Sequence, residues 1–338
     1  MKIPSPANHL LHRLAFSVLA FGISIASICA ADSFEIKVTE GQHVDVVRGG
    51  VVLAKFMTAH DVSTPQRRTE TYKPYLHVFD PSGMVQLTKG PGGVFPHHRG
   101  IFVGYSKLAF GGKSYDRWHM SGGDQVIRSV TPASAADRAQ LSAEIEWEGA
   151  AKEALLTEKR DLIFTAPQKP FYLGVELRTS LKPASGEVTI AGDPEHAGVQ
   201  FRASEKIEGV KTVYIFPGEK ADAKQRDLPW VAMIFTVEGK TFTALMLNPP
   251  GNPTDTAFSA YRDYGRFGAY PKGTAKPEAP FALKYQWLFA EGEVRDAAVL
   301  QGAWNSFAGK SEPTPALTIR AVNAKSPATP KANNPPRK

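Results

Sequence analysis

Leu141-Ser142-Ala143-Glu144-Ile145-Glu146-Trp147 puts an apolar or small side chain at every second position and both glutamates between them. Successive side chains of a strand point to opposite faces, so this run has one face for a core and one for water. Phe34-Glu35-Ile36-Lys37-Val38 repeats the pattern. Working outward, residues 51–57, 75–79, 100–105, 155–164, 171–179, 199–203, 213–216, 231–237, 242–247 and 283–289 also read as strands. Turn signals such as Asp80-Pro81-Ser82-Gly83, Pro91-Gly92-Gly93 and Pro249-Pro250-Gly251-Asn252 separate them. One segment, 293–307, has helical spacing: Val294, Ala297, Leu300, Trp304 and Phe307 share a face, and Gly309 follows as a C-cap. Many short strands and one late helix predict an all-β protein, a large antiparallel β-sandwich with one C-terminal helix.

The ends read differently. Lys2 and Arg13 precede the apolar run 14–25 and the small residues Ala26-Ser27-Ile28-Cys29-Ala30-Ala31, the layout of a cleavable secretory signal. The apolar run is shorter than the roughly 20 residues a bilayer span needs. Residues 1–31 are therefore expected to be a signal peptide, 32–323 a single β-sandwich domain, and 324–338 a disordered Pro/Lys-rich tail. The mature protein is expected in the periplasm or outside the cell, with no transmembrane anchor. Cys29 is the only cysteine, so its loss with the signal leaves no disulfide and no thiolate nucleophile. The first 31 residues hold +2 and the last fifteen +4 of the formal +7, which leaves +1 for the body. A near-neutral body gives nucleic acid no electrostatic footing.

Seven histidines follow the signal, and four of them cluster in three short blocks. In Pro96-His97-His98-Arg99-Gly100 the pair stands just before an apolar strand, at a sheet rim. In regular strand geometry only one of the two rings can enter a site. Imidazole there can act as acid or base near neutral pH or bind a metal; alternatively, both rings and Arg99 hold the loop. In Asp193-Pro194-Glu195-His196-Ala197-Gly198-Val199-Gln200-Phe201-Arg202, Gln200 and Arg202 share a strand face. A carboxylate, an imidazole, an amide and a guanidinium together suit a polyhydroxylated or anionic ligand. In Tyr115-Asp116-Arg117-Trp118-His119, Trp118 offers a flat face to a sugar ring, with His119 and Asp116 as polar neighbours. Tyr72-Lys73-Pro74-Tyr75 and His77, and Tyr261-Arg262-Asp263-Tyr264 with Arg266, are further rim candidates. Phosphate-binding and dinucleotide glycine loops, a His-Glu-x-x-His helix and a Gly-x-Ser-x-Gly elbow are all missing. No cofactor is expected.

The blocks Tyr72 to His77, Pro96 to Gly100, Tyr115 to His119 and Glu195 to Arg202 resemble a secreted bacterial family of unknown function that carries the label methane oxygenase PmoA. The membrane methane monooxygenase subunit of that name is polytopic, and no apolar span follows the signal here, so methane oxidation is not expected. The layout is also similar to the galactose-mutarotase-like supersandwiches, whose last core strand resembles Leu283 to Glu293. That resemblance implies a His acid, His97 or His98, and a carboxylate base, Glu195, with Arg99, Gln200 and Arg202 orienting hydroxyls. The leading expectation is a secreted carbohydrate-active protein of epimerase, lyase or hydrolase type. Its catalytic set would be His97, His98, Glu195 and His196. Its substrate-binding set would be Arg99, Trp118, His119, Gln200, Arg202, Tyr75 and His77. Two other readings use the same residues: a non-catalytic glycan-binding module, and an enzyme whose metal is held by His97 or His98, His119 and His196.

Overall fold

The computed structural model describes residue 1 and residues 32–193 and 195–323; the expected signal peptide, Met1 apart, and the expected tail lie outside the described residues. The chain runs through β1 (Phe34–Thr39), β2 (His43–Arg48), β3 (Val51–Met57), α1 (Pro65–Thr71), β4 (Tyr75–Val78), β5 (Ile101–Tyr105), β6 (Lys107–Phe110) and β7 (Lys113–Tyr115). It continues with β8 (Gln125–Ala135), β9 (Arg138–Glu148), β10 (Ala154–Thr165), β11 (Phe171–Pro183), β12 (Val188–Ala191), β13 (Ala197–Arg202) and β14 (Ile207–Pro217). The last third holds β15 (Trp230–Val237), β16 (Lys240–Leu247), β17 (Ala257–Phe258), β18 (Arg266–Tyr270), β19 (Gly273–Ala275), β20 (Phe281–Glu291), α2 (Ala297–Ala308) and β21 (Leu317–Asn323).

Two large antiparallel sheets form the sandwich. One has the order β1-β2-β3-β4-β5-β13-β18-β17 and the other β21-β14-β15-β16-β20-β11-β10-β9-β8; a small sheet, β19-β12-β6-β7, flanks them. Alternation decides which face goes inward. In β9, Leu141, Ala143, Ile145 and Trp147 are buried, whereas Glu144 is exposed. Across the interface Phe201 of β13 meets Phe235 of β15 and Phe289 of β20 at centroid distances of 5.8 and 5.9 Å. The buried carboxylate of Glu158 on β10 is fully used, accepting from Trp147, Arg160 and Thr179.

The outer face of the nine-stranded sheet is closed by α2, whose Leu300 and Trp304 pack on Trp230, Ile234 and Leu245. That helix starts later than its apolar spacing predicts, because Asp296 is the N-cap and accepts from Ala298 N and Val299 N; it ends at left-handed Gly309, as expected. A second helix, α1, went unpredicted although Thr64 followed by Pro65 is a readable start. Loops and the short helix α1 fold onto the outer face of the eight-stranded sheet, above a small apolar group of Tyr75, Phe102 and Trp118.

Candidate functional site

On that outer face, β5, β13 and β18 lie side by side, with Phe102 opposite Gln200 and Gln200 opposite Gly268. The turn after β7 can lie flat on the sheet because position 104 is glycine. A Cβ there would come within 2.8 Å of the Arg117 carbonyl and 3.4 Å of the Trp118 ring. Loops before β5, after β7, before β13 and before β18 meet above this surface.

Their side chains close into a ring. Phe95 lies 6.3 Å from His97, His97 4.4 Å from His119, and His119 5.0 Å from His196, all between ring centroids. Glu195, next to His196, accepts from the Tyr261 hydroxyl at 3.2 Å and is ion-paired to Arg262. Arg262 stands over Tyr264, and Tyr264 returns to Phe95 at 5.4 Å. Inside the ring lie His98, Trp118 and Arg266, all buried. Their polar atoms are conspicuously unmatched: both nitrogens of His98, Nε1 of Trp118, and Nε and Nη2 of Arg266 meet no protein partner, nor does Nε2 of His97. Buried polar atoms are costly to leave unpaired, so their concentration makes this cluster the candidate site.

Two of the histidines are oriented by carboxylates with the same spacing. Asp116 Oδ2 accepts from Nδ1 of His119 at 2.7 Å, while its Oδ1 caps the backbone N–H groups of Trp118 and His119. Asp193 accepts from Nδ1 of His196 at 2.8 Å and from the Glu195 backbone N–H. Because a carboxylate only accepts, Nδ1 carries the proton and Nε2 is left for a ligand. Each imidazole is 35% exposed.

His97 and His98 differ. They occupy a turn, not a strand, so strand alternation does not separate them and their rings touch at 4.3 Å. Burial, reinforced by Lys73, pushes the His97 imidazolium down to about 3, and burial with neighbouring His97 and Arg266 pushes His98 lower still. Both are neutral at physiological pH. The acid role expected of them needs a protonated imidazole, which this burial disfavours.

The residues expected to bind substrate divide the same way. His119 is on the rim. Trp118 is fully buried between Phe102, His98 and Lys73, so it is floor and presents no stacking face. Arg99 is also fully buried: its donors go to the carbonyls of Pro96, Thr69 and Glu70, and it lies over Tyr72, which ties α1 to the histidine turn. Gln200 is consumed by Ala197 O and Ser259 Oγ. Arg202 donates to the carbonyls of Ala203 and Tyr264 and lies 4.7 Å from the Tyr264 ring centroid, while its Nε has no partner. Tyr75 is buried beneath the site, and His77 bonds Thr88 and is pushed by burial to about 4. These side chains hold the loops from below because a sheet face covered by loops needs its inward polar groups satisfied within the protein.

Phe95 was missed by sequence reading, and Lys73, expected only within a stretch of rim candidates, is buried: it donates to Trp118 O at 2.8 Å above Phe102 and is pushed well below its usual range, mainly by burial. The doubled Asp-x-x-His spacing was the available signal for the aspartates. Among the described residues, no three His, Cys, Asp or Glu side chains are grouped so as to hold a metal ion, so the imidazoles do not fit the expected metal set. Among the described residues, no helix is long and apolar enough to cross a membrane.

Fold and site thus define a mainly β protein of two large antiparallel sheets with a histidine-rich recess on one outer face. The chain belongs to the family of unknown function DUF6807, whose model matches residues 43–305. No curated protein matches it. Among solved structures it is similar to a galactose mutarotase related enzyme from Lactobacillus acidophilus, at 8% identity and a TM-score of 0.29 over 78% of this chain and 98% of that one. A beta-arabinopyranosidase (10% identity, TM-score 0.28) shares 78% of this chain and 38% of its own length. A 4-alpha-glucanotransferase from Thermococcus litoralis (10%, 0.28) shares 77% and 40%. At these TM-scores no chemistry of this chain follows from them.

Proposed function

We propose that the chain is a secreted protein of the periplasm or cell exterior that performs acid/base chemistry on a sugar or oligosaccharide in this recess. One observation carries the reading: two imidazoles, each oriented through Nδ1 by its own aspartate, face one rim 5.0 Å apart. Oriented in this way, the two Nε2 atoms stand within reach of one small molecule, the arrangement that proton transfer to and from a substrate needs. The rim alternates aromatic faces (Phe95, Tyr261, Tyr264) with donors and acceptors (Arg262, Glu195, the two histidines), which suits a ring bearing hydroxyls. Glu195, neutralised by Arg262 and Tyr261, fits hydroxyl binding better than the base role that the mutarotase resemblance implies. The same blocks carry the resemblance to the PmoA-labelled family, but the donor set supports no oxygenase metal, and we infer no methane oxidation.

The test is incubation of the purified mature protein with panels of neutral and acidic oligosaccharides, followed by NMR. New or isomerised sugar signals are expected. Saturable binding of a glycan with no product after prolonged incubation would make this a binding module and refute the enzyme reading.

A further inference from the structure

Arg266, the first residue of β18, is completely buried beneath the rim. Its Nη1 donates to the backbone carbonyl of Glu195. Its Nε and Nη2 find no protein acceptor, although the Tyr261 hydroxyl stands beside the guanidinium. Those two N–H groups are one edge of a planar fork, parallel donors whose spacing matches the two oxygens of a carboxylate. Burying a permanent cation with that edge unmatched is expensive unless an anion completes it.

The carboxylates at the recess are committed elsewhere: Asp116 to His119, Asp193 to His196, and Glu195 to Arg262 and Tyr261. The donors, by contrast, are in surplus. Nε of Arg202 and Nε of Arg262 also lack acceptors, and His98, the imidazole beside Arg266, adds no negative charge.

A second observation has the same sign. Tyr261 is also a wall of a cavity of about 790 Å³ that opens beside the recess. Phe258 and Tyr270 give that cavity aromatic faces; of its three cations, Arg320 pairs with Asp222 and Arg226 with Asp255, and Lys224 carries the remaining positive charge.

We infer that the ligand is an acidic sugar, a uronic acid unit whose carboxylate sits on the Nε/Nη2 edge of Arg266 beside His98, with further acidic units running past Tyr261 toward Lys224. The assignment rests on the sugar reading above and names its substrate class. Two parallel charge-assisted bonds to a buried partner correspond to roughly a ten- to hundred-fold preference for the acid.

The experiment is calorimetric titration of the wild-type protein with the trimers of D-galacturonate and D-glucuronate, the same trimers with their carboxyls amidated, and neutral galactose and glucose trimers. At least one acidic trimer is expected to bind ten-fold or more tightly than its amide, and Arg266→Gln to abolish that preference. Should Arg266→Gln fail to fold, the acid-to-amide ratio of the wild type and its decrease with added salt decide the question without it. Equal affinity for an acid and its amide, or for the neutral trimers, overturns the carboxylate assignment and leaves the sugar reading standing. Binding of none of the probes overturns both.

Discussion

Asp116 and Asp193 do the same task from different loops, holding Nδ1 of an imidazole three residues later. Replacing either carboxylate by an amide leaves the ring in place but frees its tautomer. Asp116→Asn and Asp193→Asn should each lower turnover by roughly ten- to hundred-fold with little change in thermal midpoint, since an orienting partner of this kind acts through its histidine. An unchanged rate in both would detach the aspartates from the chemistry. The buried histidines make a separate prediction about pH. His77 and His97 are held by burial at about 4 and about 3, against a usual value of 6.5. A histidine whose folded value is depressed contributes stability that is fully present above about 6.5 and is lost as pH falls toward the folded value. For the more deeply buried His77 that amounts to roughly 3 kcal/mol, at about 1.4 kcal/mol per tenfold change in affinity for the proton. Denaturant unfolding should therefore show stability falling between pH 6.5 and 4, with a shallower fall in His77→Gln; a flat profile across that window would contradict the burial argument.

At the scale of elements, the turn carrying His119 depends on its seat on β5. Gly104→Val would drive a side chain into the Arg117 carbonyl and the Trp118 ring, lifting the turn from the sheet. Activity should fall as far as in a His119 variant while far-ultraviolet circular dichroism still reports the β fold. In the opposite sheet, Glu158 satisfies Trp147, Arg160 and Thr179 at once. Glu158→Ala leaves the buried Arg160 cation unpaired and should cost about 3–5 kcal/mol in unfolding measurements, with the recess on the other sheet unaffected; a loss under about 1 kcal/mol would show that this pair is not confined. The long alternating strands, such as 141–147 and 283–289, were legible because period-two burial is written into the residues themselves. The short strands β6, β7, β12, β17 and β19 were not, because two to four residues carry no period and their pairing is set by neighbours distant in the chain. The helix α2 was legible from its face and its glycine stop, but its first turn was placed early because Val294 is buried by the sheet before the helix begins.

Over the whole molecule, α2 packs on one sheet face, while loops and the short helix α1 cover the other, where we propose the site. Helices satisfy their own backbone; loops covering a sheet need buried arginines and amides to satisfy theirs. This is why Arg99 and Gln200, which look like ligand-binding residues in one dimension, are framework in three. Sequence reading found the three histidine blocks, and the fold brings His97, His98, His119 and His196 together. It could not assign roles, since the proton-holding capacity of an imidazole depends on burial and on the partner at Nδ1, both properties of the assembled loops. The most direct test of the central claim is the rate of sugar conversion, followed by NMR in wild type, His119→Gln and His196→Gln on whichever saccharide the wild type transforms. Each variant is predicted to fold and to lose roughly a hundred-fold or more of the wild-type rate; wild-type rates in both would contradict the assignment of acid and base to this pair.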